Sequence, residues 1–344
     1  DDKTENMVLV RRDKYKSIRE LSEKEMRLAG LRINPATNIG SRTTFYNHLS
    51  LMKVGEKAEI KVQGLPENPR LSYFSWSPDQ SKMAFTHTNP SGVELWVLDI
   101  ESARCRKLTD GNLNANMGRP YSWIEQGESF LVEIIPEDRQ ALIDKSEAIP
   151  TGPRISVSQG EKAQNRTYQD LLEDKADEFN FEQLARSAIF KVDLNGTMSK
   201  WKDAAMHSGF DISPNGEYVI VTAIRKPFSY LVPYYRFPSV TTIFDKSGRK
   251  IKVLNESPLL EDLPKGFMAT RKGRRNINWR NDKPAEIYYV EALDKGDPAK
   301  EVDYRDQVYL LEAPFDGPPK PLIKTIQRYG GITWGDDETA IAYD

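Results

Sequence analysis

One short pattern occurs five times in this chain: an aromatic or aliphatic anchor, a polar turn with an acidic or amide residue three places on, then an alternating apolar stretch. The copies are Trp76-Ser77-Pro78-Asp79 before Met83–Thr86, Trp123-Ile124-Glu125-Gln126 before Phe130–Val132, and Ile212-Ser213-Pro214-Asn215 before Tyr218–Val221. Trp279-Arg280-Asn281-Asp282 before Ile287–Val290 and Trp334-Gly335-Asp336-Asp337 before Ala340–Tyr343 complete the set. Proline presets φ for such a turn, Asp or Asn bonds the local backbone, and glycine accepts positive φ, so each copy encodes strand, hairpin, strand.

A second strand pair follows several copies: Leu95–Asp99 to Lys107, Phe190–Asp193 to Lys200, Ile243–Asp245 to Lys250-Ile251, and Val308–Leu311 to Pro321-Leu322. Four strands per repeat is the unit of a β-propeller blade, and the fold class predicted is therefore all-β. The anchors are separated by about 47, 89, 67 and 55 residues, against a usual blade period of about 40 to 50. The excess requires insertions. The largest is predicted inside a blade over residues 136–187, where Pro136, Pro150 and Pro153 precede a helical stretch. Thr167 with Asp170 has the spacing of a helix cap for Leu171 and Leu172, and Phe179, Phe181, Leu184 and Ala185 recur near helical spacing. The insertion reads equally as a surface excursion or as a lid or docking element.

Residues 1–40 are expected to form an arm outside the blades. Ser17 with Glu20 and Ser22 with Glu25 have capping-box spacing, Ile18, Leu21, Met26 and Leu28 supply an apolar face, and Gly30 marks the helix end. Residues 41–344 are expected to form the propeller. Phe45–Val62, around a Gly55-Glu56-Lys57 turn, reads as the last two strands of a blade whose first half comes from elsewhere in the chain, and the last blade is expected to be unfinished at Asp344.

Charge excludes one class of partner. Lys plus Arg number 49 and Asp plus Glu 51 in 344 residues, so no basic excess points to nucleic acid. Arg271-Lys272-Gly273-Arg274-Arg275 is read as a solvated loop in preference to an anion site. No apolar run approaches the length of a membrane span, and no signal-peptide pattern precedes Lys3. Cys105 is the only cysteine, which excludes an intrachain disulfide, and it is read as a buried structural thiol. Sequons at Asn165, Asn195 and Asn255 are attributed to chance.

The chain lacks Gly-x-Ser-x-Gly, His-Glu-x-x-His, P-loop and Gly-x-Gly-x-x-Gly patterns. His48, His87 and His207 stand apart and read as structural; Glu291, Asp294, Asp297, Glu301 and Asp303 lack the alternation of a calcium loop and read as a solvated excursion. No catalytic, cofactor-binding or metal-binding residue is assigned, and no cofactor is expected. The tryptophans at equivalent anchor positions point to packing between blades.

The chain resembles the N-terminal propeller of prolyl oligopeptidase family serine peptidases, in the glutamyl endopeptidase-like branch. Leu28–Ile33, Ser41-Arg42, Phe45-Tyr46, Ser75–Asp79, Pro150–Pro153 and Thr167–Leu172 carry the resemblance, with Trp279–Ala285, Glu291–Asp294, Tyr304–Asp306 and Ala313–Phe315. The resemblance implies about seven blades in a parent protein, covering a C-terminal α/β-hydrolase domain whose Ser, Asp and His are absent from this chain. It implies a parent that cleaves peptides after Glu, with the propeller gating or selecting short or unfolded peptides. The partners expected are therefore peptide substrates and the hydrolase domain, with no nucleic acid and no membrane span. This chain alone is expected to be inactive. Its compartment is unassigned, a periplasmic or secreted bacterial location being favoured. Two readings compete with this one: a stand-alone propeller serving as a protein-interaction scaffold, and a propeller glycosidase or lactonase with clustered carboxylates or a metal on its channel.

Overall fold

The computed structural model describes residues 5–145, 168–336 and 338–344. Four complete four-stranded antiparallel sheets follow one another along the chain, each hydrogen-bonded in sequence order from first to fourth strand. Their strands are Leu71–Trp76, Lys82–Asn89, Gly92–Asp99 and Arg104–Lys107; then Tyr121–Ile124, Ser129–Ile134, Ser187–Asp193 and Met198–Ala205. The third sheet holds His207–Ile212, Tyr218–Ile224, Ser239–Asp245 and Lys250–Ser257, and the fourth Arg275–Trp279, Glu286–Ala292, Asp306–Glu312 and Lys320–Thr325. A three-stranded sheet precedes them and the pair Gly331–Trp334 and Ala340–Tyr343 follows. These sheets are the blades of a β-propeller, here called blades 1 to 6 in chain order.

The repeated anchors fall at equivalent places. Trp76, Ile212, Trp279 and Trp334 end first strands, and Trp123 is the penultimate residue of one. The turns after Trp76 and Ile212 are built alike. In blade 2 the Ser77 hydroxyl donates to Asp79 (2.6 Å) and accepts from the Lys82 N–H (3.0 Å); in blade 4 Ser213 donates to Asn215 (2.8 Å) and accepts from the Tyr218 N–H (3.0 Å). The Ser77 and Ser81 hydroxyls hold the Asp79 carboxyl down at about 2. Local side-chain bonds thus satisfy much of the turn backbone, which is why these turns are readable in the sequence, while the Asn215 N–H reaches the Pro284 carbonyl of blade 5 (3.0 Å).

Each gap between successive blades has its own apolar layer, because the four complete blades bury apolar side chains on both faces. Val97 and Leu108 of blade 2 and its connection pack with Phe130 and Val132 of blade 3, and Leu131 and Ile189 of blade 3 pack with Val219 and Phe244 of blade 4. Ile220 and Ile243 then meet Ile287 and Leu311, while Val290 and Val308 meet Tyr329 and Ile332. The tryptophans tie these layers together: the Trp123 indole donates to the Ser75 carbonyl (3.3 Å) and Trp279 to that of Asp211 (3.2 Å), in both cases one residue before the previous blade's anchor. The Trp334 N–H is buried and makes no such bond among the described residues.

Blade 1 consists of Asn6–Arg11, His48–Lys53 and Glu59–Lys61, in that spatial order. The two later strands are those the sequence marked, and the third comes from the first residues of the arm. Asn6–Arg11 is a strand because Val8, Leu9 and Val10 favour extended backbone and find a partner edge in His48–Lys53. The arm is therefore less helical than its spacing indicated. Ser17 and Glu20 do form a capping box, but the helix covers only Ile18–Leu21, and Ile18 and Leu21 are exposed. Met26–Leu28 pairs instead with Leu31–Asn34. Ala29 (φ 52°) and Gly30 (φ 88°) make the two-residue turn between them, so Gly30 turns a hairpin and does not end a helix.

Candidate functional site on the connection face

Meander topology gives the propeller two unlike faces. One carries the first-to-second and third-to-fourth hairpins, including the Ser-Pro-Asp turn. The other carries the second-to-third strand loops and the connections between blades. The insertion of blade 3 lies between Ser129–Ile134 and Ser187–Asp193, so it projects from this connection face.

The described part of the insertion contains one helix, Lys175–Ala185. Its N-cap is Asp174, whose side chain accepts from the Asp177 N–H (2.9 Å); Leu171 and Leu172 precede it, and Thr167, Pro150 and Pro153 lie outside the described residues. The expected helix thus begins later and is capped by a different residue. Phe181, Leu184 and Ala185 are buried as their spacing required. The helix's last carbonyls do not fray into solvent: Asn114 and Asn116, from the connection between blades 2 and 3, each donate to the Leu184 carbonyl at 2.9 Å.

Three distant pieces of sequence meet on this face and form a cap. Leu28, Ala29 and Ile33 of the arm hairpin pack with Phe181 and Leu184 of the helix and with Val232 and Phe237 of the second-to-third strand loop of blade 4. The Gly30 N–H donates to the Asp170 carbonyl (2.8 Å), and the Tyr234 N–H to that of Ala29 (2.8 Å). A Cβ on Gly30 would lie 2.8 Å from the Pro233 side chain, so the hairpin tip is fitted to that loop. Further along the arm, Ile39 bridges to Ala115, which joins the cap to the connection between blades 2 and 3.

Between arm, insertion and blade 4 loop is a cleft of about 560 Å³. Arg32 and Asp170 form an ion pair at its wall (2.6 Å), and Tyr168, Tyr235 and Arg42 line the remainder. Leu28–Ile33, Ser41-Arg42 and the Tyr168–Leu172 part of the third segment, which carry much of the resemblance to the peptidase branch, converge here. Nothing in their sequence spacing announces that they touch.

The inner edge of the propeller is shaped by bulges. The first strands of blades 2, 4 and 5 shift register between Ser72 and Ser75, His207 and Gly209, and Arg275 and Asn278. Tyr73 (φ 51°), Gly209 (φ 149°) and Asn276 (φ 51°) take left-handed or glycine-type backbone at these places. The Tyr73 carbonyl accepts the Tyr121 hydroxyl of blade 3, which fixes the bulge of blade 2 against its neighbour.

At the same face of blade 5 lies a buried ionic network. Asp294 and Asp306 are completely buried as side chains. Asp294 pairs with Arg305 (3.0 Å) and Arg328 (2.5 Å); Asp306 pairs with Arg328 (3.0 Å) and Arg275, and accepts the Tyr329 N–H at 2.7 Å. Burial alone would raise the Asp294 carboxyl, but Arg328, the Gly296 N–H and Arg305 together hold it below its ordinary value. Gly296 (φ 82°) admits no side chain here, because a Cβ would fall 2.1 Å from the Thr270 carbonyl oxygen.

Two readings of the sequence change accordingly. The acidic stretch around Asp294 is not wholly a solvated excursion, since Asp294 is a buried counter-ion for guanidinium. The basic run is not a solvated loop either: Arg275 is in the network, and Arg271 and Arg274 are half-buried. Arg274 stacks over the Tyr289 ring (4.5 Å) and donates to the Leu254 carbonyl (2.9 Å). Glu291–Asp294 and Tyr304–Asp306, the segments of the resemblance, supply both buried carboxylates. The first residue of an apolar strand is an unremarkable place for Asp306, so only the fold reveals its partners.

The three histidines are not brought together. His87 accepts from the Arg70 N–H (3.3 Å), His207 is buried and held down at about 4 by desolvation, and His48 lies 3.7 Å from Glu59. Among the described residues no cluster of His, Cys, Asp and Glu could hold a metal ion, and no helix is long and apolar enough to cross a membrane.

No family model matches the chain. It is 34% identical over 356 aligned positions to a probable chloroplastic glutamyl endopeptidase of Oryza sativa subsp. japonica, covering 99% of this chain and 38% of that protein. A protein of the same description from Arabidopsis thaliana is 33% identical, covering 99% and 37%. The chain therefore spans less than two fifths of the length of these relatives. An acylaminoacyl peptidase structure from Pyrococcus horikoshii aligns over 86% of this chain and 37% of its own, at 13% identity and a TM-score of 0.41.

Proposed function

Because this chain is homologous from end to end to part of the glutamyl endopeptidase-like proteins of plants, and is a peptidase-related propeller domain, we propose that it serves a serine peptidase as its substrate-selecting propeller. In this reading a C-terminal α/β-hydrolase domain supplies the nucleophile, base and oxyanion hole, and the propeller admits short or unfolded peptides. The match of 99% of this chain to part of the plant relatives is the observation that carries the reading. The capped connection face supports it, because the arm, the insertion and the blade 4 loop together build a clefted surface well suited to a passing peptide. In this reading the propeller contributes binding and exclusion, and the hydrolase domain the chemistry.

The test compares the natural full-length protein with a version in which residues 1–344 are deleted. The full-length protein is expected to cleave a short peptide containing Glu and to spare the same sequence embedded in a folded protein. An active deletion variant that cleaves both would show that the propeller selects nothing. No cleavage by the full-length protein, with or without an active-site serine reagent, would refute the peptidase assignment itself.

A further inference from the structure

The ionic network of blade 5 is not charge-balanced. Arg275, Arg305 and Arg328 face only Asp294 and Asp306, and Arg271 adds a fourth guanidinium beside Arg275. Arg271 has no hydrogen-bond or ion-pair partner among the described residues, and the charge that acts on it is that of Arg275. Burial first, and that guanidinium second, both act against its charged form. Arg275 has a second defect: its Nη1 is buried and makes no hydrogen bond, although its other nitrogen serves Asp306. The nearby Arg274 does not share the problem, being engaged with Tyr289, Leu254 and Glu291 (3.6 Å).

Desolvating an arginine without an anion is unfavourable, and a protein normally avoids it by exposing the head group or pairing it; the Arg275 Nη1 is buried without a bond, while Arg271 is half-buried without a partner among the described residues. Thr270, immediately before Arg271, donates its N–H to the Gly296 carbonyl (3.0 Å), and Gly296 in turn donates to Asp294 (2.8 Å), so the residue is held against the network. Arg271 is half-buried and so keeps an opening to solvent, while Lys272 and Gly273 beside it are exposed. Arg275 opens the innermost strand of the blade, so the site sits at the inner rim of the connection face.

We propose that Arg271 and Arg275 form an anion subsite that takes a carboxylate carried by an extended peptide entering at the connection face. The proposal rests on the peptidase reading for the identity of its ligand, and on the geometry for its location. A planar carboxylate that accepts from Arg271 and from Arg275 Nη1 would relieve both defects together. The carboxylate can come from an acidic side chain or from a peptide C-terminus, which share this chemistry.

The experiment uses the 344-residue chain and follows its melting midpoint and fluorescence anisotropy with three labelled pentapeptides. One carries a single internal Glu and a C-terminal amide, one has Gln in its place, and one has Gln with a free C-terminus. The Glu peptide, the free-terminus peptide or both are expected to bind and raise the midpoint, with the Gln amide inert. Whichever carboxylate peptide binds identifies the source. Arg271→Gln is expected to weaken that binding at least tenfold, in line with losing a charge-assisted hydrogen bond. Arg271→Lys, which keeps the charge but not the planar fork, guards against a folding defect and should bind weakly while melting as a cooperative unit. Equal behaviour of all three peptides, or unchanged affinity in both variants, would overturn the subsite. Because no cleavage is measured, such a failure is separable from failure of the peptidase reading.

Discussion

Phe181→Ala tests whether the arm hairpin, insertion helix and blade 4 loop are one cooperative cap. Phe181 is fully buried, and it meets Phe228 and Phe237 edge to face, with ring centroids 5.1 and 5.6 Å away. Truncating a buried phenylalanine costs about 3 to 5 kcal/mol, of which each aromatic pair supplies about 0.5 to 1.5. The side chains grouped with Phe181 belong to the cap, to strand ends such as Ile224, or to connections between blades such as Met117, Met206 and Leu259, and none to the layers between blades 1, 2 and 3. The loss should therefore appear as easier opening of the cap. At about 1.4 kcal/mol per decade, amide exchange of Gly30 and Tyr234, which bridge hairpin to insertion and loop to hairpin, should accelerate by about two to three and a half decades. Amides in the Lys82–Asn89 and Gly92–Asp99 ladder should keep their wild-type rates. Hydrogen exchange read by mass spectrometry of peptides covering these segments supplies both measurements. Unchanged Gly30 and Tyr234, or a uniform acceleration through blades 2 and 3, would refute the cap as a local unit.

Other perturbations follow from individual groups. Arg328→Met should destabilise the chain by about 3 to 5 kcal/mol in urea unfolding, because it removes a partner from both Asp294 and Asp306 in a buried network; a loss under 1 kcal/mol would mean the remaining arginines suffice. Glu133 is buried in blade 3, and desolvation pushes its carboxyl up to about 8 from an ordinary 4.5. The folded chain then binds more protons than the unfolded chain between these values, so stability should fall as pH rises from about 4.5 to 8. Glu133→Gln should flatten that slope, by up to several kcal/mol at pH 8 and little at pH 4.5, as read from urea midpoints at the two pH values; parallel curves for both proteins would discount the burial argument. Cys105 is buried and its thiol is pushed up to about 12, so iodoacetamide at pH 8 should label the folded chain only at the rate of its unfolding, and rapid labelling without unfolding would place the thiol at the surface.

The blades were legible because their instructions are local. Ser77 and Asp79 satisfy their own turn, Val97, Leu98 and Leu95 alternate on a strand, and the same arrangement recurs at Ser213 and Asn215; each needs only residues within a few places in the chain. The arm was legible only in part. Capping-box spacing correctly marked Ser17 and Glu20, but it could not weigh a four-residue helix against the strand partners that Leu31–Asn34 and His48–Lys53 offer to Met26–Leu28 and Asn6–Arg11.

The connection face belongs to tertiary structure altogether. Arg32 meets Asp170, Ala29 meets Tyr234, and Arg275 meets Asp306 and Arg328 across separations that no periodicity encodes. A charge run such as Arg271–Arg275 has the same sequence whether it lies in water or beside a desolvated aspartate, because the energy of a charge is set by its surroundings in space. Sequence by itself determined that this chain repeats a four-stranded unit and how each unit turns. Only the folded array decided which charges would be buried together and which guanidinium would be left without a partner among the described residues.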